Sequence, residues 1–273
     1  MNSAPLVSVL MTSYNREKYI SEAIDSVLCS SYRNFELIIV DDGSKDRTME
    51  IVRQYADKDQ RVKVYRNEKN LGDYPNRNKA ASYAKGKYIK YLDADDIIYY
   101  YGLEIIINYM ERFPDAGFGL ASFASDEKPF PILLSPKEAY IENFQIYSHF
   151  DRAPGSSIIN LDAFNKVGGF SGKRMVGDYE FWFKIARYYN MVKYPYDFYW
   201  SRSHGEQESK SSYAQNYPKL KKQIREDALN HVDCPLNEEE LKYVRKLIKK
   251  YEAKNNVLSA LTKIKATLKY QKP

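Results

Sequence analysis

Long hydrophobic runs and paired cysteines are both missing from this chain of 273 residues. No apolar stretch approaches the roughly 20 residues that cross a bilayer. Residues 1–5 do not lead into a signal peptide, so we expect a chain that stays in the cytoplasm. The two cysteines, Cys29 and Cys234, are far apart and form no CxxC pair. This argues against a disulfide scaffold and a zinc ribbon and favours a reducing compartment.

The sequence also lacks the glycine motifs that bind phosphates at the end of a strand. Neither G-x-G-x-x-G nor G-x-x-x-x-G-K-[ST] follows any strand that we predict. Their absence argues against a dinucleotide-dependent dehydrogenase and a P-loop NTPase. The composition, with 44% hydrophobic and 29% charged residues, is ordinary for a globular chain, so a sizeable core is expected.

Positive charge is concentrated in one segment. The net charge is +6, and residues 237–273 carry 10 Lys and Arg against 4 Asp and Glu, which leaves 32 residues of each sign elsewhere. The neutral body argues against nucleic-acid binding. The basic segment predicts contact with an anionic membrane or an acidic partner. The alternative is a pair of helices, separated at Asn255-Asn256, that packs on the body or on a second subunit.

Strand and helix signals alternate through the first 100 residues, which predicts right-handed crossovers and a mostly parallel sheet. Buried strands are predicted at 6–11, 35–40, 62–65 and 87–92, and helices at 19–28, 48–56 and 77–84. Later in the chain, helices are predicted at 103–113 and 179–189, and a loop that enters a strand at 153–160. We therefore expect an α/β fold.

Polar side chains follow three of the predicted strands. They are Thr12-Ser13-Tyr14, Asp41-Asp42 and Asp93-Ala94-Asp95. Ligands of open α/β sheets bind beyond the carboxyl ends of the strands. The three clusters are therefore expected to meet on one rim of the sheet.

Asp93 and Asp95 are the sharpest candidates in the sequence. Two carboxylates on alternate residues just past a buried strand repel each other. A divalent cation relieves this repulsion, and Mg²⁺ and Mn²⁺ are often shared with substrate phosphates. The alternative is that Asp95 or Asp96 caps the next helix.

The other polar residues suit a nucleotide. Asp41 or Asp42 can accept hydrogen bonds from a base or ribose, although this segment is equally typical of a polar turn. Tyr14 can stack on a base or pack locally. Arg77 can bind a diphosphate, although single arginines more often point into solvent.

Six blocks of the sequence, in order, resemble the family 2 glycosyltransferases. They are LVSVLMTSYNR at 6–16, VDDGSKDRT at 40–48, NLGDYPNRNKA at 70–80, KYIKYLDADD at 87–96, VGGF at 167–170 and GDYEFW at 177–182. Arg202-Ser203-His204 resembles a late block of the same family. The resemblance covers roughly residues 5–210. It implies a GT-A fold and the inverting transfer of a sugar from a nucleotide diphosphate sugar.

The resemblance also implies roles for single residues. Carried over by position, Thr12, Tyr14 and Asp42 would bind the nucleoside, with Asp41 nearby. Arg77 would face the diphosphate of the nucleotide.

The remaining implied roles concern metal and base. Asp93 would lie near the ribose or the metal, and Asp95 would be the principal ligand of a Mn²⁺ or Mg²⁺ ion. His204 would lie near the metal or the diphosphate. Asp178 would be the catalytic base.

One block departs from the family pattern. The family often has Glu-Asp where this chain has Gly177-Asp178. The aspartate at the base position, Asp178, is kept. The glutamate that would act on the acceptor side is absent, because residue 177 is glycine. Glu180, two residues into the presumed helix, is the alternative base.

The resemblance further predicts a non-processive enzyme, because membrane-spanning helices and a Gln-x-x-Arg-Trp block are both absent. UDP is the expected nucleotide, and a glycan or lipid-linked hydroxyl group is the expected acceptor. The expected role is in bacterial cell-surface polysaccharide synthesis, at the inner face of the plasma membrane. We expect a catalytic domain at 1–215, with its nucleotide part near 1–100 and its acceptor part near 101–215, and a basic helical extension at 216–273. A sugar-phosphate nucleotidyltransferase and a non-catalytic nucleotide-sugar binding module are the alternatives.

Overall fold

A computed structural model describes residues 4–122, 129–145, 149–205, 207 and 212–269, with side chains as far as residue 253. Its strands are β1 Val7–Ser13, β2 Phe35–Asp41, β3 Val62–Arg66, β4 Tyr88–Tyr91, β5 Ile97–Ile98, β6 Ala116–Ala121, β7 Ile132–Leu134, β8 Ser157–Asn160, β9 Asn190–Tyr194 and β10 Tyr199–Trp200. Its α-helices are α1 Ile20–Leu28, α2 Thr48–Lys58, α3 Asp73–Ala81, α4 Gly102–Glu111, α5 Pro136–Gln145, α6 Leu161–Lys166, α7 Gly177–Ala186, α8 Tyr217–Leu229 and α9 Glu238–Lys269.

Eight strands form one central sheet in the order β3-β2-β1-β4-β8-β6-β9-β7. The first four strands in the chain pair in parallel, as the alternation of strand and helix signals predicts. The second half is mixed, because β8 runs antiparallel to both β4 and β6 while β6 and β9 are parallel. A separate two-stranded antiparallel sheet joins β5 to β10. The expected α/β fold with a large central sheet is confirmed.

Helices cover both faces of this sheet, so each face has its own buried apolar layer. One layer joins α1, α2 and α4 to the sheet and includes Ile24, Val52 and Ile106. The other joins α3, α6 and α7 and includes Phe164 and Trp182. Burial on both faces explains why the central strands read as continuous apolar runs rather than as alternating ones.

Helix α3 begins at Asp73, four residues before the start that we predict from helical spacing. Gly72 precedes it with φ of 87°, a left-handed conformation that glycine adopts without steric cost. Pro75 lies in the first turn, where a missing backbone N–H breaks no helical hydrogen bond.

The prediction of a break at Asn255-Asn256 is wrong, because α9 continues through both residues. Asparagine in a helix costs only a fraction of a kcal/mol relative to alanine, about 0.7 at most.

The first part of the C-terminal helices packs on the body. Val244 of α9 is fully buried, and Ile224 and Leu229 of α8 belong to the same apolar layer as α7. Polar contacts reinforce this packing, since Lys137 of α5 lies 2.9 Å from Glu240 of α9. Residues 217–248 are therefore part of the folded body rather than a detached tail.

Candidate active site

The carboxyl ends of β1, β2 and β4 meet at one edge of the sheet. Ser13 at the end of β1 is in register with Asp41 at the end of β2, and Leu10 is in register with Tyr91 of β4. The chain leaves β4 directly into the segment from Asp93 to Asp96. The convergence of the three polar clusters on one rim, which the sequence predicts, is present in the structure.

Three carboxylates crowd this rim. Oxygen atoms of Asp93, Asp95 and Asp96 all lie within 4.8 Å of one another. Burial, followed by the nearby charge of Asp93, raises the pKa of Asp96 to about 7. Asp95 and Asp96 are buried, whereas the side chain of Asp93 keeps 34% of its surface exposed. A cluster of this kind is chemically suited to a hard divalent cation, for which carboxylate oxygens are the preferred ligands.

Side chains from distant parts of the chain approach Asp95. Arg16 Nε donates to Asp95 Oδ2 at 3.0 Å, and His204 Nε2 lies 2.8 Å from the same oxygen. Arg202 holds the His204 loop in place, since its backbone N–H donates to Asp96 and its Nε donates to the Asp95 carbonyl oxygen. The strand pair β5–β10 carries this loop to the rim. The structure thus brings together Asp93, Asp95 and His204.

Arg77 is buried between two carboxylates instead of pointing into solvent. Its Nε donates to Asp73 at 2.7 Å, and its second terminal nitrogen lies 2.7 Å from Asp93 Oδ1. Its remaining nitrogen, Nη1, is buried and has no hydrogen-bond partner among the described residues. The guanidinium also lies over the ring of Tyr91, with its carbon 5.7 Å from the ring centroid. A buried donor without a partner costs free energy, so this nitrogen suits an incoming anionic oxygen.

Asp41 and Asp42 shape the rim through their own hydrogen bonds. Asp41 is fully buried and accepts from the backbone N–H groups of Gly43 and Ser44. Asp42 accepts from the N–H groups of Leu71 and Gly72, at 2.9 Å each. Both carboxylates therefore fix the loops around the rim, which is the turn role that the sequence leaves open.

The two residues contributed by the end of β1 differ in exposure. Thr12 is half-buried within the strand. Tyr14 follows the strand and keeps 41% of its surface exposed, at the mouth of the rim. Asn15, next in the chain, has a φ of 52°, which turns the backbone sharply toward Arg16. Tyr14 is thus exposed enough to contact a flat ligand.

Asp178 lies in the first turn of α7, close enough to Asp73 and Arg77 for their charges to act on its carboxyl group. The backbone N–H of Tyr179 donates to Asp178 Oδ1 at 2.7 Å. Burial raises the pKa of Asp178 to about 6, and hydrogen bonds from Tyr179 and Tyr74 oppose that rise. A carboxyl group with a pKa near neutrality is suited to exchange a proton with a substrate.

Glu180, the alternative base, is engaged elsewhere. Its Oε1 lies 2.5 Å from Lys173 Nζ, and its other oxygen accepts from the hydroxyl group of Ser171. Both partners belong to the loop that precedes α7. Glu180 therefore anchors that loop, which favours Asp178 as the reactive carboxylate.

Sequence reasoning missed several members of the site. Arg16, Asp73, Tyr74 and Arg202 were not predicted as functional, yet each contacts a candidate residue. Arg16 and Asp95 are 79 positions apart, and no local pattern links such distant residues. Each of the four lies within one of the blocks that carry the family resemblance, and this is the signal that could have pointed to them.

The family of the chain follows from comparison with known proteins. The model described as "Glycosyl transferase family 2" matches residues 8–175. The chain belongs to glycosyltransferase family 2. The matched residues include the rim, the acid cluster and Arg77, and they end three residues before Asp178.

Curated relatives match this chain over only part of its length. A relative from Bacillus subtilis, named as a putative teichuronic acid biosynthesis glycosyltransferase, is 46% identical over 35% of this chain and 38% of its own length. A glycosyltransferase of Streptococcus pneumoniae is 31% identical over 58% of this chain and 54% of its own length. An uncharacterised glycosyltransferase of Haemophilus influenzae matches over 42% of its length, so the chain aligns with well under two thirds of each relative.

Solved structures extend the similarity to the whole fold. A Staphylococcus aureus TarS fragment, in complex with UDP-GlcNAc, has a TM-score of 0.68 at 21% identity and covers 87% of this chain and 70% of its own. A mannosyltransferase of Pyrobaculum calidifontis, in complex with GDP-Man and Mn²⁺, has a TM-score of 0.61 at 18% identity and covers 99% and 82%. The GT-A fold is thereby shown. Within the described part of the chain, no helix is both long and apolar enough to pass through a bilayer.

Proposed function

We propose that this chain is an inverting, non-processive glycosyltransferase that moves one sugar from a nucleotide diphosphate sugar to a hydroxyl group of a glycan or lipid-linked acceptor. The observation that carries the proposal is an acid cluster on the rim, paired with a buried arginine that has an unpaired donor and whose charge also acts on Asp178, a carboxyl group with a raised pKa. A donor sugar that lies between the acid cluster and Asp178 would have its leaving group on one side and its acceptor on the other.

The acid cluster fits a divalent metal ion. Asp93 and Asp95 would hold Mn²⁺ or Mg²⁺, because their carboxylate oxygens lie within 4.8 Å of each other and of Asp96, and His204, whose Nε2 lies 2.8 Å from Asp95 Oδ2, would complete the site. When bound, the ion neutralises charge that develops on the leaving diphosphate. Arg77 adds a fixed positive charge beside Asp93, and its unpaired nitrogen would donate to a phosphate oxygen.

The nucleoside would lie along the ends of β1 and β2. Tyr14 is exposed for stacking, and Thr12 is half-buried near the end of β1. Asp41 would act by holding the loops that enclose the base and ribose, because it is fully buried and its oxygens already accept four hydrogen bonds. Asp42 accepts three and keeps capacity for a hydrogen bond from the ligand. UDP is the nucleotide that we propose first, and the TarS neighbour bound to UDP-GlcNAc supports it. The neighbour bound to GDP-Man makes GDP the second candidate.

Asp178 would act as the general base. Its carboxylate would accept the proton of the acceptor hydroxyl as that oxygen attacks the anomeric carbon from the face opposite the leaving diphosphate. A single displacement of this kind inverts the anomeric configuration. The test is turnover of a panel of nucleotide sugars with simple glycan acceptors, followed by NMR of the product. The proposal requires a β-linked product from an α-linked donor, and a retained configuration would contradict it.

Activity should depend on pH through the base. Because burial raises the pKa of Asp178 to about 6, the carboxyl group is protonated and inactive below that value and ionised above it. We expect kcat to rise about tenfold per pH unit below pH 6 and to level off above pH 7. A pH–rate profile measured at saturating donor and metal tests this, and a flat profile between pH 5 and 7 would contradict it.

The two alternative functions fit less well. A nucleotidyltransferase would need a glycine-rich basic loop after the first strand, and residues 12–16 do not have that composition. A non-catalytic binding module would have no use for a carboxyl group of raised pKa beside the donor rim. The relative named for teichuronic acid biosynthesis supports a role in cell-surface polysaccharide synthesis.

We also propose the division into a catalytic domain at residues 1–215 and a basic extension at 216–273. The extension would hold the enzyme at an anionic membrane surface through its last part, since residues 254–273 contain five lysines and no acidic residue. Its first part packs on the body and would serve as the attachment.

Removal of residues 254–273 should weaken membrane binding without unfolding the protein. Each basic residue near an anionic surface contributes about 1 kcal/mol, so we expect the vesicle partition coefficient to fall at least about tenfold. Co-sedimentation with vesicles that contain phosphatidylserine measures this, with neutral phosphatidylcholine vesicles as the control. Equal binding by the full and the shortened chain would refute the membrane role.

A further inference from the structure

The ring of Tyr74 occupies the space beside residue 177. Tyr74 is 4% exposed and lies in the first turn of α3. A Cβ atom on Gly177 would lie 2.6 Å from Tyr74 Cδ2 and 2.8 Å from its Cγ, closer than real Cβ contacts come. Only glycine therefore fits at 177 while the tyrosine ring is in place. This gives a physical reason for the departure at 177, where the family block often has Glu.

The hydroxyl group of Tyr74 lies next to Asp178, the proposed catalytic base. The Tyr74 hydroxyl group faces the Asp178 carboxylate and lowers the pKa of that carboxyl group against the larger effect of burial. The backbone N–H of Asp178 in turn faces the Tyr74 oxygen. Two contacts thus join one tyrosine hydroxyl to one residue of α7, and the side chain has little freedom because its ring is enclosed.

The other groups that face Asp178 come from three elements. On α7 itself, the Tyr179 N–H donates to the carboxylate at 2.7 Å. On α3, the charge of Asp73 raises the pKa of Asp178 and that of Arg77 lowers it. On α8, burial and the charge of Asp178 raise the pKa of Tyr217, and the Tyr217 hydroxyl group donates to Asp151 at 3.0 Å. Among these side chains, Tyr74 is the one whose hydroxyl group lowers the pKa of Asp178.

We propose that Tyr74 is a positioning residue, which orients the Asp178 carboxylate toward the acceptor, with Gly177 as the space that this tyrosine requires. The proposal rests on the proposed role of Asp178 as the base. It also links the two sides of the site, because the neighbouring Asp73 binds Arg77 and Arg77 binds Asp93. One turn of α3 therefore sets the position of both the base and the phosphate-side arginine.

Tyr74→Phe tests the proposal because it removes the hydroxyl group and keeps the ring. We expect the acid limb of the pH–rate profile to move up by about one unit, since the ionised carboxylate loses a donor. Well below the pKa, kcat should then fall about tenfold beyond any loss at pH 8. The donor KM should stay unchanged, because the donor rim keeps all of its residues. The matched control is Tyr140→Phe, which removes another buried hydroxyl group, one that donates to the Phe183 carbonyl oxygen at 2.8 Å.

The outcomes separate this inference from the proposed function. If the wild-type chain transfers sugar and Tyr74→Phe shifts the acid limb while Tyr140→Phe does not, the inference stands. An unshifted profile, or a loss that is equal at every pH, in an active and folded Tyr74→Phe variant overturns it. No transfer by the wild-type chain with any donor would overturn the proposed function first. Thermal melting of both variants establishes that they are folded.

Discussion

Replacement of Asp178 by Asn is expected to abolish sugar transfer while donor binding is retained. Asparagine has nearly the same shape but accepts no proton at neutral pH, and general-base catalysis contributes about 10²–10⁴-fold. We therefore expect kcat to fall by at least about 100-fold. The Kd for the nucleotide, measured by calorimetry, should change less than about threefold, because asparagine keeps the shape of the side chain and the proposed donor-binding residues are unchanged.

Glu180→Gln is the matched control for this variant. It changes a carboxylate two residues away on the same helix, where Glu180 pairs with Lys173. It should keep transfer within about threefold, since surface ion pairs contribute at most about 1 kcal/mol. The assignment of the base fails if Asp178→Asn transfers at the wild-type rate, or if Glu180→Gln loses activity instead.

The second large effect is expected at Asp95. Asp95→Asn removes the carboxylate proposed as the principal metal ligand, which Arg16 and His204 also contact. Loss of a metal contribution of a few kcal/mol corresponds to a decrease in transfer of about 100-fold or more. In the wild-type chain Mn²⁺ should tighten nucleotide binding, and in the variant this tightening should be lost.

Calorimetric titration of the nucleotide with and without Mn²⁺ measures the coupling directly. Asp57→Asn, at an exposed carboxylate of α2, is the control for a change of charge alone. A melting temperature close to wild type shows that the rim has kept its fold without the Asp95 charge. Equal nucleotide affinity with and without Mn²⁺ in both the wild type and Asp95→Asn would remove Asp95 from the metal site.

The first half of the fold was predictable because its signals are local. The apolar run of β2 ends directly in Asp41, and parallel pairing then sets this end beside Ser13 of β1. The same logic places Asp93 and Asp95 on the rim. Strand period, helix period and a general rule about sheet edges were enough to assemble these residues.

The second half was not predictable in the same way. Strand β6 contains Gly117 and Gly119, which have low strand propensity and weaken the sequence signal. Both are explained by packing, because a Cβ atom there would lie 2.5 Å from the Tyr189 side chain and 2.9 Å from Met110 Sδ, respectively. The contact of His204 with Asp95 spans 109 positions, so the resemblance pointed to it while the local pattern could not.

The tail illustrates a different limit. Periodicity correctly predicts a helix, which is α9 at Glu238–Lys269, and an apolar face at Leu241, Val244 and Ile248, but it does not predict whether that face meets membrane, subunit or body. For Val244 the answer is the body, where it is fully buried. A hydrophobic stripe specifies that something must cover it, and the identity of the cover is a property of the tertiary structure.

The measurement that tests the account most directly is a thermal-shift screen of the wild-type chain with UDP, GDP, dTDP and CMP, each with and without Mn²⁺. A ligand at 100 times its Kd stabilises the native state by about 2.7 kcal/mol. For a chain of this size that corresponds to a rise in Tm of about 5–10 °C. The account predicts such a rise with one nucleoside diphosphate, UDP first, and only when Mn²⁺ is present. No rise with any of the four nucleotides, or an equal rise without the metal, would contradict a metal-dependent donor site on this rim.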